Sequence, residues 1–362
     1  MTSTRIAVGP SAAPHYHVEI GDGLAERLDA LLDTYGLGPR RLVVSTAPVW
    51  QIVQPLLAPS FARLQPILLP DGERFKGLPA VARAYDAFVR AGADRGTVVV
   101  GVGGGVLGDV AGFAAATFLR GLPLVLVPTT LLAQVDSAIG GKVGVNLPAG
   151  KNLVGAFYRP RAVVADVGLL ATLPRREFRA GLYEVVKYAV IASPSLFDLL
   201  HDDLPAVFSR GADVVARVVA ECCRIKARVV TEDEREAGTR RILNLGHTAG
   251  HALEAITKYR RFRHGEAVAY GMLTAAHLAV ERRALAEADR DRLARLIAQM
   301  GPLPPVTDLS AAEALEAVRR DKKIVDGRLH FVLPTAIGQV AIVSDVSEEA
   351  LGEALRQTGL RG

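Results

Sequence analysis

The chain has 362 residues, of which 50% are hydrophobic and 22% are charged. This composition is typical of a globular protein and excludes a disordered or fibrous one. At roughly 150 residues per domain, the length predicts two domains with a cleft between them. The formal net charge is +5, but the basic residues are scattered along the chain, so we expect no nucleic-acid partner.

Apolar runs are short throughout the sequence. The longest, such as Leu122 to Val127 and Val185 to Ala192, end well before the roughly 18 residues that a membrane span needs. The segment from Met1 to Pro14 lacks the basic start and apolar block of a signal peptide. We therefore expect a cytoplasmic protein without membrane contact. The only cysteines, Cys222 and Cys223, are neighbours in a helical pattern, so we expect inert thiols in a reducing compartment.

Short runs rich in β-branched residues predict strands in the first half of the chain. These strands are predicted at His17 to Ile20, Arg41 to Ser45, Gln65 to Leu69, Thr97 to Val102, Leu124 to Val127 and Ala162 to Ala165. Amphipathic segments such as Leu24 to Tyr35 and Leu78 to Ala91 predict helices between them. This alternation predicts an α/β domain with a doubly wound, mostly parallel sheet, which accepts nucleotides at its strand ends.

A glycine-rich segment from Gly101 to Asp109 follows one of these strands and leads into a helix predicted from near Val110. Glycines let the backbone approach a pyrophosphate, and a helix amino terminus offers free N–H groups and a positive dipole end. The spacing is not that of a dinucleotide fingerprint, and a simple tight turn is the alternative. The position between strand and helix favours phosphate binding.

Long helical patterns replace the alternation from about Pro174 onwards. They are predicted at Arg176 to Ala192, Gly211 to Thr231, Gly265 to Arg283 and Glu287 to Met300, with short apolar segments near Leu329 to Leu333 and Gln339 to Val343. We therefore place the domain boundary near Leu173. Residues 1–173 are expected to form the α/β domain and residues 174–362 a mainly α-helical domain.

Histidines and one carboxylate form a candidate metal site in the second half. His247 and His251 are four residues apart and share a face on a helix, which suits zinc. His264 and the upstream Glu184 add two further ligands. Three such ligands with an open position make a catalytic metal site. The alternative is an ordinary helix, because the pair lacks the glutamate of the metalloprotease motif.

The motifs together resemble the 3-dehydroquinate synthases, a family of sugar-phosphate cyclases. The resemblance covers nearly the whole chain, and so many segments in order are more specific than any one of them. The matching segments are Asp71 to Lys76, Gly103 to Asp109, Pro128 to Ser137, Gly140 to Lys142, Gly150 to Asn152, Glu184 to Lys187, Arg240 to His251, His264 to Glu266 and Arg320 to Lys323.

The resemblance also implies which residues hold the cofactors. Glu184, His247 and His264 are implied to bind the metal, usually zinc, with cobalt as the alternative. His251, a metal ligand by spacing alone, is implied to face the substrate. NAD is implied to contact Asp71, Gly72, Glu73, Arg74, Phe75, Lys76, Gly105, Val106, Leu107, Gly108, Asp109, Thr129, Thr130, Lys142, Lys151, Leu169, Leu170, Ala171 and Thr172.

The implied substrate is an anionic sugar phosphate that carries a carboxylate. Its implied contacts are Arg120, Asp136, Lys142, Asn152, Lys187, Lys226, Arg240, Asn244, His251 and one of Lys322 and Lys323, of which we take Lys323. Most of these are cations or amides, as an anionic substrate requires. The resemblance further implies a homodimer.

The implied activity converts 3-deoxy-D-arabino-heptulosonate 7-phosphate to 3-dehydroquinate and phosphate, in the shikimate pathway of aromatic amino acid biosynthesis. NAD would oxidise a ring hydroxyl, phosphate would leave, the hydride would return, and an internal aldol addition would close the carbocycle. The alternatives are another sugar-phosphate cyclase, against which Arg240 and Asn244 argue, and a metal-dependent polyol dehydrogenase, which would release reduced cofactor. A non-catalytic nucleotide-binding module has no use for such a metal site.

Overall fold

A computed structural model describes residues 3–10, 15–236, 238–320, 324–325 and 328–362. The described residues form two compact units. The first unit contains Met1–Phe178 and Arg210–Arg235, and the second contains Arg179–Ser209 and Glu236–Gly362. The division therefore falls near Phe178, and a later segment belongs with the first unit. The domain roles predicted for residues 1–173 and 174–362 remain predictions.

The first unit is built on a seven-stranded sheet and a separate two-stranded hairpin. Its strands are β1 (Thr4–Val8), β2 (Tyr16–Gly21), β3 (Arg41–Thr46), β4 (Ile67–Leu69), β5 (Val98–Gly103), β6 (Leu124–Pro128), β7 (Lys142–Leu147), β8 (Gly150–Phe157) and β9 (Ala162–Asp166). The sheet order is β1-β2-β9-β6-β5-β3-β4, and β7 pairs with β8. Within the sheet only β1 and β2 pair antiparallel.

The central strands of this sheet are buried along their whole length. Every residue of β5, β6 and β9 is buried, and valine is the commonest residue among them. Parallel strands covered on both faces need such continuous apolar runs, since neither face meets water. This pairing brings the carboxyl ends of β5 and β6 side by side, with Gly103 opposite Pro128.

The helices flank the sheet in the first unit and make up most of the second. The helices of the first unit are α1 (Leu28–Thr34), α2 (Ala47–Val53), α3 (Pro59–Ala62), α4 (Leu78–Arg90) and α5 (Gly105–Thr117). The others are α6 (Arg175–Ala192), α7 (Pro194–Asp202), α8 (Leu204–Phe208), α9 (Ala212–Glu232), α10 (His247–Ile256), α11 (His264–Glu281), α12 (Glu287–Gln299), α13 (Ala311–Arg319) and α14 (Glu348–Gln357). Of these, α9 belongs to the first unit and packs against β1 and β2.

The second unit also contains two short antiparallel pairs. These are β10 (Ile324–Val325) with β11 (Arg328–Leu329), and β12 (Phe331–Ala336) with β13 (Gln339–Val343). Buried alanine, glycine and leucine line α11, which is packed by α10, α12, α14 and β12. Because most of its surface is covered, α11 is the central helix of this unit.

The predicted fold class is confirmed: a mostly parallel sheet with helices precedes a helical region. One boundary was wrong. The helix after the glycine-rich turn begins at Gly105 and not near Val110, because its glycines adopt helical geometry once the helix packs on the sheet and on β7. Strand β1 and the β7–β8 hairpin were not predicted, since neither lies in a continuous apolar run.

No helix in the described part of the chain is both long and apolar enough to cross a lipid bilayer. Cys222 and Cys223 lie on α9 and are buried free thiols. The Sγ of Cys223 donates a hydrogen bond to the carbonyl oxygen of Gln134 at 3.4 Å. Burial raises the pKa of Cys223 to about 12, so this side chain stays a neutral thiol at physiological pH.

We expect neither cysteine of the folded protein to react with a disulfide reagent at pH 8, whereas both react in urea. The folded state holds the Cys223 proton more tightly than the unfolded chain does. The free energy of unfolding should therefore fall as pH rises above the unfolded thiol pKa of about 8.5. Spectrophotometric thiol titration, with glutathione as the reactive control, measures the first effect. Fast modification of either thiol in the folded protein would contradict the buried placement.

Candidate active site

The glycine-rich turn joins β5 to α5 in the first unit. A Cβ on Gly103 would lie 2.4 Å from Leu107 Cδ2, and one on Gly105 would lie 2.7 Å from Ser137 Oγ. The backbone N–H of Thr129 donates to the Gly103 carbonyl at 3.0 Å, which places the predicted Thr129–Thr130 pair beside the turn. The glycines line a cavity together with Leu126, Pro128, Ala133, Ser137 and Ala138. Side chains at Gly103 and Gly105 would crowd Leu107 and Ser137, so glycine at these two positions fits an anion-binding cradle.

A lysine and an aspartate meet at the start of α5. Lys76 Nζ lies 2.5 Å from Asp109 Oδ2 and donates to Asn152 Oδ1 at 2.6 Å. Burial raises the pKa of Asp109 above its usual value, and the Lys76 ammonium opposes that rise. The structure thus brings together three residues that were predicted from separate motifs.

The segment from Asp71 to Lys76 is tied to the β7–β8 hairpin by polar contacts. Glu73 Oε1 accepts a hydrogen bond from Asn146 Nδ2 at 2.8 Å and lies 3.5 Å from Lys151 Nζ. Asn146 Oδ1 in turn accepts the backbone N–H of Asn152 at 2.9 Å. The predicted contacts on the hairpin, Lys151 and Asn152, therefore lie beside the predicted contacts before α4.

A short π-helix at Ala133–Ser137 carries the predicted Asp136. Gln134 Nε2 anchors it by donating to the carbonyls of Pro128 at 3.1 Å and Asp166 at 2.7 Å. Lys226 on α9 contacts the Asp136 carboxylate and donates to its backbone carbonyl at 2.7 Å. Such π-turns are rare and often mark functional sites. Sequence reasoning did not detect this one, because a π-helix has no distinct sequence pattern.

The remaining predicted residues of the first unit include two exposed cations and a 3₁₀ segment. Arg120 and Lys142 are exposed, and Arg120 has the left-handed φ of 66°. Leu169 to Thr172 form part of a 3₁₀ segment, Val167–Thr172, whose Leu170 carbonyl accepts from Arg210 at 2.8 Å.

Glu184, His247, His251 and His264 converge in the second unit. Glu184 is fully buried on α6, and its Oε1 lies 3.8 Å from His247 Nε2 and 3.5 Å from His264 Nε2. The ring centroid of His251 lies 5.4 Å from that of His247 and 5.9 Å from that of His264. One ring nitrogen from each histidine lies within 4.8 Å of the others. The spacing and the resemblance therefore identified neighbouring residues of one cluster.

Glycines allow the helices that carry these ligands to touch through their backbones. A Cβ on Gly265 would lie 1.9 Å from the Ala180 carbonyl oxygen on α6, and one on Gly271 would lie 1.7 Å from the Gly246 carbonyl oxygen. Gly246 precedes α10 with a φ of +77°, which favours glycine. His247 and His264 are the first residues of α10 and α11. The backbone contacts between these helices therefore determine where the two histidines lie.

The carboxylate of Glu184 fits a metal ligand. Both oxygens are buried, and Oε1 accepts no hydrogen bond within the described part of the chain. Lys187 Nζ lies 2.5 Å from Oε2. In tetrahedral zinc sites with bonds of about 2.1 Å, neighbouring ligand atoms lie about 3.4 Å apart. The distances from Glu184 to the two imidazoles are close to that value, so the cluster fits a divalent cation.

The Nδ1 atoms of His247 and His264, on the side of each ring away from Glu184, each lie near an oxygen atom. His247 Nδ1 lies 3.1 Å from the Leu245 carbonyl oxygen, and His264 Nδ1 lies 3.4 Å from Glu254 Oε2. Sequence reasoning missed Glu254, although it stands seven residues after His247 and so shares the same helical face.

Polar residues of the 3₁₀ segment Thr239–Asn244 lie before α10. Arg240 is buried, with 3% of its surface exposed. Asn244 Nδ2 donates to Glu236 Oε1 at 2.6 Å. Glu236 was also missed, because nothing in its spacing links it to Asn244. The predicted Lys322 and Lys323 lie outside the described residues.

Comparison with known proteins is consistent with this site. Family models described as 3-dehydroquinate synthase N-terminal and C-terminal match residues 66–180 and 181–324. The curated 3-dehydroquinate synthase of Geobacter metallireducens is 48% identical over 341 residues, which cover 92% of this chain and 94% of that protein. A second, from Halorhodospira halophila, is 45% identical over 340 residues, covering 94% of this chain and 96% of that protein.

Among solved structures, a 2-deoxy-scyllo-inosose synthase complexed with carbaglucose-6-phosphate, NAD+ and Co2+ has a TM-score of 0.86 and 29% identity to the chain. That likeness covers 98% of this chain and 99% of the other. Fold and site together therefore define a sugar-phosphate cyclase. The chain belongs to the 3-dehydroquinate synthase family and is an enzyme with that activity, since both family models and the more similar relatives carry that description.

We expect Gly271→Ala to disrupt the junction of α10 and α11, because its Cβ would overlap the Gly246 carbonyl oxygen. Overpacking of this kind costs about 1–3 kcal/mol of the free energy of unfolding. Gly38→Ala is the control, since its Cβ would meet nothing within 4 Å and should change stability by less than about 0.5 kcal/mol. Urea unfolding followed by circular dichroism compares the two. Equal stability of both variants would refute the close backbone contact.

Proposed function

We propose that the chain performs the 3-dehydroquinate synthase reaction with NAD and a divalent metal, zinc or cobalt, as cofactors. The observation that carries this proposal is the convergence of Glu184, His247 and His264 in a chain that matches the family along both halves. The substrate is 3-deoxy-D-arabino-heptulosonate 7-phosphate, and the products are 3-dehydroquinate and phosphate.

NAD is assigned to the first unit, on the glycine-rich turn. The free N–H groups at the start of α5 are suited to its pyrophosphate. The carbonyl oxygen of Gly103 accepts the Thr129 N–H, so this acceptor is already hydrogen-bonded. Lys76 and Asp109 form a charged pair at the same helix end. The cofactor supplies reversible hydride transfer when bound. The cavity beside the turn and the glycines that keep it open support this assignment.

The metal is assigned to Glu184, His247 and His264, with His251 directed to substrate. A divalent cation supplies stabilisation of negative charge on substrate oxygens when bound. The protein's own contribution is to hold the ligands in place: Glu184 by burial, and each imidazole by an acceptor at Nδ1. Lys187 keeps a second positive charge within 2.5 Å of Glu184.

The substrate is assigned to the polar residues that the family resemblance implies. They are Arg120, Asp136, Lys142, Asn152, Lys187, Lys226, Arg240, Asn244, His251 and Lys323. Asp136 can accept hydrogen bonds from substrate hydroxyls, and the Lys226 ammonium can bind anionic oxygens next to them. Arg240 offers a planar fork that suits a carboxylate or phosphate.

We further propose a cytoplasmic homodimer that binds neither nucleic acid nor membrane. The evenly scattered basic residues support the first exclusion. Size-exclusion chromatography with light scattering measures the assembly directly, and a single monomer mass at micromolar concentration would refute the dimer.

The decisive assay gives the zinc-loaded protein catalytic NAD and 3-deoxy-D-arabino-heptulosonate 7-phosphate, and follows phosphate release together with absorbance of NADH. We expect phosphate and 3-dehydroquinate with no lasting NADH. Accumulating NADH would point instead to a polyol dehydrogenase. No turnover of this substrate would point to a sister sugar-phosphate cyclase.

A lysine pair tests the substrate assignment. We expect Lys226→Met to lower kcat/KM about 10- to 100-fold, because a charge-assisted hydrogen bond is worth about 1.5–3 kcal/mol. Lys258→Met is the matched control and should leave kcat/KM unchanged, since Lys258 is exposed and lies outside the predicted site. Initial phosphate-release rates over a range of substrate concentrations give both values. Equal kcat/KM in the two variants would remove Lys226 from the substrate site.

A further inference from the structure

Glu254 is a buried carboxylate that no step of the proposed reaction uses. Only 6% of its side chain is exposed, and its Oε2 lies 3.4 Å from Nδ1 of His264. A carboxylate removed from water is costly unless it is paired or hydrogen-bonded. The contact with the His264 imidazole is one such bond, and it places Glu254 beside the candidate metal ligands.

The imidazole of His264 lies between two carboxylates. Its Nε2 faces Glu184 Oε1 at 3.5 Å, and its Nδ1 faces Glu254 Oε2 at 3.4 Å. A carboxylate accepts hydrogen bonds only, so Glu254 selects the tautomer with the proton on Nδ1. In that tautomer Nε2 carries a lone pair on the side of the ring that faces Glu184. A cation bound by Glu184 could therefore also be bound by Nε2.

His247 is held differently, and the difference is informative. Its Nδ1 faces the neutral backbone carbonyl of Leu245 at 3.1 Å. A charged acceptor polarises an imidazole more strongly than a carbonyl does and so makes it a more basic ligand. His264 is also the more exposed of the two, with 33% of its side chain exposed against 12% for His247, so it has more need of a partner that fixes its ring.

The helix itself supplies this partner. His247, His251 and Glu254 stand at intervals of four and three residues on α10 and therefore share one face. His264 belongs to α11, which packs against α10. One face of α10 thus carries the candidate ligand His247 and, about two turns later, Glu254. The Glu254 carboxylate contacts His264, the candidate ligand on α11.

We propose that Glu254 is a positioning residue for the metal centre, which holds His264 in the Nδ1-protonated tautomer and strengthens Nε2 as a ligand. This inference rests on the proposed metal site. It concerns how tightly the centre holds its ion and does not depend on which sugar phosphate the enzyme converts.

The test measures zinc affinity without substrate, by competition with a chromogenic chelator. We expect Glu254→Gln to weaken zinc binding about 10-fold and Glu254→Ala to weaken it up to about 100-fold, the range typical of such partners. The Co2+-loaded Glu254→Gln protein should also show shifted visible absorption bands, which a loss of global stability alone would not produce. Glu19→Gln is the matched control, because Glu19 is equally buried in the first unit, where it pairs with Arg5.

The inference would be overturned if Glu254→Gln bound zinc within about twofold of the unmutated affinity and showed an unchanged Co2+ spectrum. An equal loss of affinity in Glu19→Gln would also overturn it, since this would indicate a general effect of removing a buried charge. If the Glu254 variants do not fold, ring-¹⁵N histidine spectra of the unmutated zinc protein decide. Protonation of His264 at Nδ1 supports the inference, and protonation at Nε2 overturns it. An unmutated protein that binds no zinc would refute the proposed metal site as well.

Discussion

The burial of the Glu184 carboxylate is a strong constraint on the second unit. Removing an ion from water costs several kcal/mol even after the protein relaxes. Lys187, one turn later on the same helix, offsets part of that cost. Imidazoles that bind a metal are neutral and offset little of it, whereas a divalent cation would add two positive charges at the same point. Metal binding should therefore stabilise the fold as well as prepare the site.

The proposed metal centre bears on the close backbone contacts around α11. That centre would draw its ligands from α6, α10 and α11, whose axes must then lie near one another, and bulky residues at Gly265 or Gly271 would separate them. Close packing also leaves few alternative positions for the ligand side chains. The second unit thus holds its candidate ligands by close helix contacts, while the first unit joins a turn, a π-helix and a hairpin by polar bonds.

The sequence predicted the parts of the protein whose patterns are local. Continuous valine-rich runs identified the central strands, and long helical periodicity identified α6, α9, α11 and α12. Spacing alone selected His247 and His251 but could not show that His264 approaches Glu184, because that contact depends on how α6, α10 and α11 pack. The partners of His264 and Asn244 were missed for the same reason: Glu254 and Glu236 are recognisable only after the chain has folded around them.

The charged pairs of the first unit bear on what can bind there. Lys76, Lys151 and Lys226 each contact a carboxylate, on Asp109, Glu73 and Asp136 respectively. A simple anion would gain from each lysine but would be repelled by the adjacent acid. A ligand with both hydroxyl groups and anionic oxygens avoids this conflict, since its hydroxyls donate to the carboxylate while its anionic oxygens accept from the ammonium. Paired charges of this kind favour a polyhydroxylated anion over inorganic phosphate, because the adjacent carboxylates repel phosphate.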